Sequence, residues 1–495
     1  MSNADAAWLG LDAPHNRMTI TGVLRFAAPA DWQRLRDVVG VRLVGRFPTF
    51  SRRPVPSRSP LQQATWDDDP RFDLDAHLVR VALPRADLEA YVGDLLARPF
   101  DLTRSPWELH LVDHPADGHG PASSAVVARL HHCIADGIAL ASVLVSLTDD
   151  APDAPVEDGG GLPAPSVLLG RRGRTRTAHR PGAVRRAADG TAEVAGVVGA
   201  PDPARAWRRP RELAGAVRFG ASVAATAVRL LLLSRDPRTR LRGRPGPAKR
   251  AAWAEPVPLD DVKAVAAGLG ASVNDVLLAA TAGALRRHLL AHGEPARDVR
   301  VFVPVNLRPV DVPVPRTLGN RFGLVLVPLP VSLPDPAARV RAVRDHVARS
   351  RVRSEAGATF ALVSLLGFLP SWLHGAVLRV LGAKTTAIVT NVPGPREPVW
   401  LAGRRVEDVV FWVPQAASVG LGVSLFSYAG RVLVGVAADA RLVPDPRALA
   451  DGVRAELDTL RAAAPALTPS AGPAPRAGHG PSTPTARRRG SSTRG

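Results

Sequence analysis

The feature that most restricts the fold is a break. From 151 to about 208 the chain is rich in Pro, Gly, Ala and Arg, and its hydrophobic periodicity disappears. So long a structureless stretch does not belong inside one compact domain; between two domains it reads as a linker. The expected organisation is an N-terminal domain over 1–150, an Arg/Pro-rich linker over 151–250 that carries one apolar helix, a C-terminal domain over 251–462, and a disordered basic tail over 463–495. Apolar residues make up 46% of the chain, enough for a large core and too many for wholesale disorder.

The net charge of +19 is unevenly placed. Residues 151–250 carry +12 and the tail from 463 carries +5, so the two blocks are nearly neutral. The charge belongs to segments without periodicity, not to a folded basic face, and the tail has no interleaved aromatics for base stacking. No nucleic-acid partner is expected. Attraction to an anionic membrane surface stays open. A single cysteine, Cys133, excludes a disulfide scaffold and any Cys-based zinc or iron–sulfur site. Met1–Gly10 shows no secretory pattern, so a cytoplasmic chain is expected.

In the first block Met18–Phe26, Leu78–Leu83 and Ala125–Leu130 read as strands, and Asp31–Leu43 and Asp87–Ala97 as helices. Apolar residues from Ile138 to Leu147 recur at helical spacing. In the second block Ser272 precedes an apolar helical run, Val273–Leu290, as its cap. Val299–Val305, Leu324–Leu329, Ala387–Thr390, Leu421–Phe426 and Val432–Ala437 read as strands, and Pro370 divides the apolar run Ala358–Leu381 into two helices. Residues 212–233 form an apolar helix stopped by Pro237, with Arg218 and Arg229 about three turns apart on one face. Two Arg and two internal Gly argue against a membrane span. The helix either packs on the protein or lies in a lipid interface.

The chemistry concentrates in His131-His132-Cys133-Ile134-Ala135-Asp136-Gly137, where an apolar strand ends and a helix begins. Element ends display catalytic groups on a rigid support, and an imidazole can accept a proton near neutral pH. Adjacent histidines on a strand point to opposite faces, so they are poorly placed to share a metal ion, and none is expected. Asp136 could cap the next helix, orient a ring or hold an Arg. Gly137 would leave room for a close approach. The competing reading is a pair of core histidines with Asp136 as a plain cap. Cys133 is expected to be a small buried residue, because neighbours in sequence on a strand are not neighbours in ring geometry.

This string resembles the His-His-x-x-x-Asp-Gly motif of CoA-dependent acyltransferases with the chloramphenicol-acetyltransferase-like fold. The rest of the chain is similar to one branch, the bacterial wax ester synthase/diacylglycerol acyltransferase family, from about Asp5 to Leu460 outside the linker. The matching features, in order, are Asp5-Ala-Ala-Trp8-Leu9, Phe72-Asp73-Leu74, Phe100-Asp101-Leu102, Trp107-Glu108-Leu109-His110, Asn274-Asp275, Val303 to Arg308, Gly319-Asn320, Asn391 to Pro395, and Ser427 to Gly430 with Asp439. Ser105-Pro106-Trp107 departs from the family's Pro-Leu-Trp element.

The resemblance implies an α/β (α+β) architecture of two chloramphenicol-acetyltransferase-like domains, each a mixed sheet with helices, and an active-site tunnel between them. It implies acyl-CoA as co-substrate, diacylglycerol or a long-chain alcohol as acceptor, and no resident cofactor. His132 would be the general base. His131 would be structural. Asp136 would be architectural, paired with an Arg for which Arg308 is one candidate. Asn274 would either support the oxyanion or substrate, or sit as a capping residue near Ser272, and Asp275 would be structural. Peripheral association with membrane or lipid inclusions is expected from the lipid substrates. The alternatives are a related transferase using a carrier-bound donor or another hydroxyl, and a non-catalytic lipid-surface protein.

Overall fold

The computed structural model describes residues 1–56, 64–118, 120–157, 210–308, 315–349, 352–366, 377, 379–415 and 418–467. Residues 158–209 of the linker, 468–495 of the tail and Pro370 as a helix divider therefore fall outside the described residues, while 463–467, read as the start of the disordered tail, continue the helix Pro446–Leu467.

In the first half the strands are β1 (Thr19–Phe26), a small hairpin of β2 (Arg52–Val55) and β3 (Thr65–Asp68), β4 (Leu78–Ala82), β5 (Trp107–His114) and β6 (Ser123–His131). The second half supplies β7 (Lys249–Trp253), β8 (Val257–Pro258), β9 (Val299–Asn306), β10 (Phe322–Leu329), β11 (Ala387–Pro393), β12 (Trp400–Leu401), β13 (Arg404–Trp412), β14 (Leu421–Tyr428) and β15 (Arg431–Asp439). They build two large mixed sheets. One has the order β12-β13-β1-β6-β5-β4, the other β10-β9-β11-β14-β15-β7 with β8 on β15.

The sheets do not divide where the sequence breaks. β13 crosses from the second half and pairs antiparallel with β1, from Thr21 opposite Trp412 to Phe26 opposite Val406. One continuous core therefore joins residues of both halves, among them Trp107, Val126, Trp253, Trp412 and Tyr428. A second core lies where the helices Leu259–Gly268, Val273–Ala291 and Pro446–Leu467 cover the other sheet. These strands are long apolar runs covered by packing, as expected for sheets buried on both faces.

Among the described residues the strands and helices expected from periodicity are present, with one difference. The helix expected over Asp31–Leu43 is α-helical only to Val38 and continues as a π-helical turn, Val39–Val44. β5 and β13 escape a period-2 reading because buried polar residues interrupt them. In β5, Glu108 binds Arg129 at 2.6 Å and His110 at 3.1 Å, and His110 binds Tyr91 at 2.8 Å, so the polar positions serve an internal cluster.

No single helix among the described residues is long and apolar enough to cross a membrane. Leu259–Gly268 and Val273–Ala291 reach that length only together and meet at 97°. The helix read over 212–233 runs from Pro210 to Leu232.

Candidate active site

β6 carries the apolar core up to His131, and the chain then turns sharply into the helix Gly137–Leu147. β1 holds this corner. Thr19 pairs with His131, and the His132 backbone N–H donates to Met18 O at 2.7 Å. Strand alternation sends the two imidazoles to opposite sides, as read from the sequence. His131 points into the protein. Its Nδ1 accepts from the Cys133 N–H at 3.2 Å, and its ring meets Phe100 edge-on at 6.3 Å. His132 lines a cavity of about 140 Å³, which His131 and Cys133 do not.

The His132 ring is stacked on Trp8 at 4.5 Å, and Phe322 lies 5.5 Å away. Nδ1 is buried and makes no well-formed hydrogen bond, with the residue's own backbone and the Asn320 amide as the polar groups beside the ring. Burial lowers its pKa to about 4, against the weaker opposing pulls of its own backbone, the Asp136 carboxylate and the Asn320 amide. The imidazole is therefore neutral at pH 7 and able to accept a proton. Burial likewise lowers His131 to about 4 and raises the Cys133 thiol well above its ordinary value, so Cys133 is held as an inert thiol.

Asp136 does two things. It is the N-cap of the helix Gly137–Leu147, with Oδ1 accepting from the Ala139 N–H at 2.9 Å. Its Oδ2 pairs with Arg308, and also accepts from the Arg321 N–H at 2.8 Å. Arg308 is thus the partner that 61 arginines left undecided. Its second arm donates to Gly319 O, and the Gly319 N–H donates back to Ile134 O at 3.2 Å. Gly319 has φ +109°, a conformation that favours glycine, and a Cβ there would lie 3.4 Å from Asp5 Oδ2.

Asn320 completes the frame. Its side-chain amide donates to His132 O at 2.8 Å and to Asp5 Oδ1 at 2.7 Å. Asp5 in turn caps the first helix, Asn3–Gly10, through a reciprocal pair with Ser2, and that helix carries Trp8. The corner is held from three separate stretches of chain.

Gly137 lines the cavity. A Cβ there would meet only Val392 at an ordinary 3.8 Å, so no backbone approach requires the glycine. Asn274 does not line the cavity. Its Oδ1 accepts from Asn391 Nδ2 at 3.3 Å, and Asn391 is the one at the cavity wall. Asp275 sits in a capping box with Ser272 at the start of Val273–Ala291. Apart from His132, Asp136, Asn306, Thr390 and Asn391, the wall is almost wholly apolar, from the second sheet, from the chain just past β6 and β13, and from the helices Asn3–Gly10 and Val352–Leu366. Among the described residues no three His, Cys, Asp or Glu side chains converge as they would around a metal ion.

Sequence reasoning assigned no chemical role to Trp8, Asn320 or Asn391. Gly319-Asn320 between two strand-like runs was the one available signal, because Gly-Asn marks a turn.

Residues 1–277 match the wax ester synthase/diacylglycerol acyltransferase catalytic domain, and 318–461 match the C-terminal domain of the same family. The chain is 32% identical over 413 residues to a probable diacylglycerol O-acyltransferase of Mycobacterium tuberculosis, covering 78% of this chain and 79% of that protein. A second, putative diacylglycerol O-acyltransferase from that organism is 28% identical over 486 residues, covering 93% and 89%. Among solved structures, the wax ester synthase/diacylglycerol acyltransferase of Marinobacter aquaeolei VT8 superposes with a TM-score of 0.61 at 20% identity, over 93% of this chain and 98% of that one. A condensation domain of the calcium-dependent antibiotic synthetase superposes with 0.54 at 18% identity, over 94% and 95%. The fold is the two-domain architecture that the resemblance implied. With both family domains in order along one chain, this protein belongs to the wax ester synthase/diacylglycerol acyltransferase family.

Proposed function

We propose that this chain moves the acyl group of an acyl-CoA onto the hydroxyl of diacylglycerol or a long-chain alcohol, with His132 as the general base. The supporting observation is a neutral, buried imidazole on the wall of a mostly apolar cavity. His132 removes the hydroxyl proton as the oxygen attacks the thioester carbonyl. The tetrahedral oxyanion collapses, the C–S bond breaks, and the imidazolium returns the proton to the CoA thiolate. Ester and free CoA leave. General base catalysis contributes about 10²–10⁴-fold; positioning and oxyanion support supply the rest. Trp8 and Phe322 fix the plane of the ring, and Asn320 fixes its backbone. Asn391 faces the cavity, so we assign polar support of the reacting carbonyl to it, with Asn274 as the residue that holds it. Asp136 and Arg308 act through the geometry of the loop.

The scheme takes acyl-CoA as co-substrate and asks for no resident cofactor. The setting we infer is cytoplasmic, at the surface of membrane or lipid inclusions, because both acceptors partition there.

The test is CoA release from palmitoyl-CoA, with hexadecanol and dioleoylglycerol supplied separately, comparing wild type with His132→Ala. Release that depends on the acceptor and falls by about 10²-fold or more in the folded variant is expected. Release that survives in His132→Ala would overturn the assignment. The better acceptor names the product class.

A further inference from the structure

From Gly220 to its end the helix Pro210–Leu232 is apolar on its outward side. From 220 onward the exposed positions are Gly220, Ala221, Ala224, Ala225, Val228, Leu231 and Leu232, with Arg229, ion-paired to Glu355 at 3.1 Å, at one edge. Val228, Leu231 and Leu232 are 52%, 62% and 80% exposed. The half-buried positions include both hydroxyl residues of this stretch, Ser222 and Thr226. A solvated surface helix places its polar residues outward and its apolar ones inward. This one does not, and among the described residues nothing covers the exposed leucines.

The end of this helix is fastened to the cavity wall. Lys384 Nζ caps it, donating to the carbonyls of Leu231 (3.3 Å) and Leu233. Just beyond, Asp236 N donates to Ala383 O at 2.9 Å, and Arg242 donates to Gly382 O at 3.1 Å. Leu233 packs in one cluster with Phe302, Leu381 and Ile388, three side chains that line the cavity. The exposed leucines and the acceptor cavity are therefore two ends of one apolar tract.

Charge narrows the occupant. Exposed Arg235, Arg238 and Arg244 follow the helix. Residues 158–209 before it carry a net +6, and the C-terminal tail carries five Arg and no acid. Segments of the same sign are poorly suited to cover a face followed by exposed Arg. An anionic lipid surface satisfies both the leucines and the arginines.

We propose that Val228, Leu231 and Leu232, followed by the exposed Arg235 and Arg238, form the face by which this chain docks on an anionic lipid surface. Docking sets the cavity wall at Leu381 against the layer from which a lipid acceptor is drawn. The second part rests on the acyltransferase reading; the docking itself does not.

The experiment uses the full chain and two variants, the triple substitution Val228→Ser, Leu231→Ser and Leu232→Ser, and Arg235→Glu with Arg238→Glu. These residues are exposed and outside the cavity, and thermal melts check that both variants fold. Flotation with phosphatidylcholine vesicles, with and without phosphatidylglycerol, reads docking alone. Wild type is expected to float with the phosphatidylglycerol vesicles, and each variant to lose about ten-fold or more in partitioning. Turnover of dioleoylglycerol in those vesicles should fall in parallel, while turnover of a short soluble alcohol should not change. Undiminished flotation of the triple variant overturns the proposal. So does flotation that ignores phosphatidylglycerol, or a self-association in sedimentation velocity that the triple variant abolishes while flotation persists. Absence of turnover with every acceptor, alongside normal flotation, counts against the acyltransferase reading and leaves the docking face standing.

Discussion

Two helices in this molecule start with an aspartate that belongs to a motif, and the two starts differ. Asp136 caps Gly137–Leu147 with one carboxylate oxygen and gives the other to Arg308 and the Arg321 N–H, which lie far along the chain. Asp275, at the start of Val273–Ala291, hydrogen-bonds only within its own cap. Its Oδ2 accepts from Ser272 N (2.8 Å) and Oγ (2.7 Å), and its N–H donates to Ser272 Oγ at 3.2 Å. The first cap is also a cross-link between the halves that form the cavity; the second is local. The same residue type, as N-cap of one helix and in the first turn of the other behind the N-cap Ser272, thus carries two different loads, and mutation can separate them.

The largest effect is expected at the cross-link. The Asp136 and Arg308 side chains are only 4% and 5% exposed. Arg308→Ala leaves a buried carboxylate without its cation, at a cost of about 3–5 kcal/mol. That is a large share of the roughly 5–15 kcal/mol that holds a domain folded. Arg308→Lys keeps the charge but loses the fork that reaches Asp136 and Gly319 O together, so it should recover only part of the loss. Chemical denaturation of the three proteins reads this directly. An Arg308→Ala protein as stable as wild type would mean that Asp136 is no more than a cap.

How much of this was legible in sequence follows from which interactions are local. The opposite facing of His131 and His132 came from strand alternation, and the Ser272 cap from its place before an apolar run. Both are consequences of neighbours in the chain. The His132 environment is not local: Trp8, Phe322 and Asn320 come from two other stretches, and only the folded chain brings them together. Arg308 could be named as a candidate but not chosen, since every Arg offers the same fork. The exchange of β13 into the first sheet was hidden because Arg404, Arg405, Glu407 and Asp408 obscure its alternation. Asp408 pairs with Arg25 of β1 and with Arg431, so its polarity is part of the sheet junction.

Acid sharpens the contrast between the two starts next. The first follows two buried imidazoles, His131 and His132, each lowered to about 4 from an ordinary 6.5. Between those values the unfolded chain binds protons that the folded one refuses. Stability is thus fully present above about pH 6.5 and is lost as pH falls toward 4. His288, lowered to about 4 within Val273–Ala291, adds to the same slope, so the informative quantity is a difference. His132→Ala should flatten the dependence of melting temperature on pH without abolishing it. In wild type kcat/KM should hold from about pH 8 to about pH 5, because the base stays neutral there. A rate that falls with an apparent pKa near 6.5 would show that burial does not set the protonation of His132.

The smallest effect is expected at the local cap. Asp275→Ala removes the acceptor for Ser272 N and Oγ, and losing a cap of this kind costs about 1 kcal/mol. Ser272→Ala should cost a similar amount, and the double variant little more, because the two side chains serve each other. Folded Asp275→Ala protein should turn over acceptor as wild type does. One atom puts that expectation at risk. Asp275 Oδ1 is buried without a hydrogen-bond partner, and the next residue back, Asn274, holds the cavity-lining Asn391. If the cap is all that Asp275 provides, Oδ1 is merely tolerated there, and Asp275→Asn should restore stability without touching kcat. If Asp275→Ala keeps its melting temperature but loses kcat, the aspartate acts on the cavity through Asn274 and Asn391. The second helix start would then be a cross-link as well, made through side-chain amides where the first is made through an ion pair.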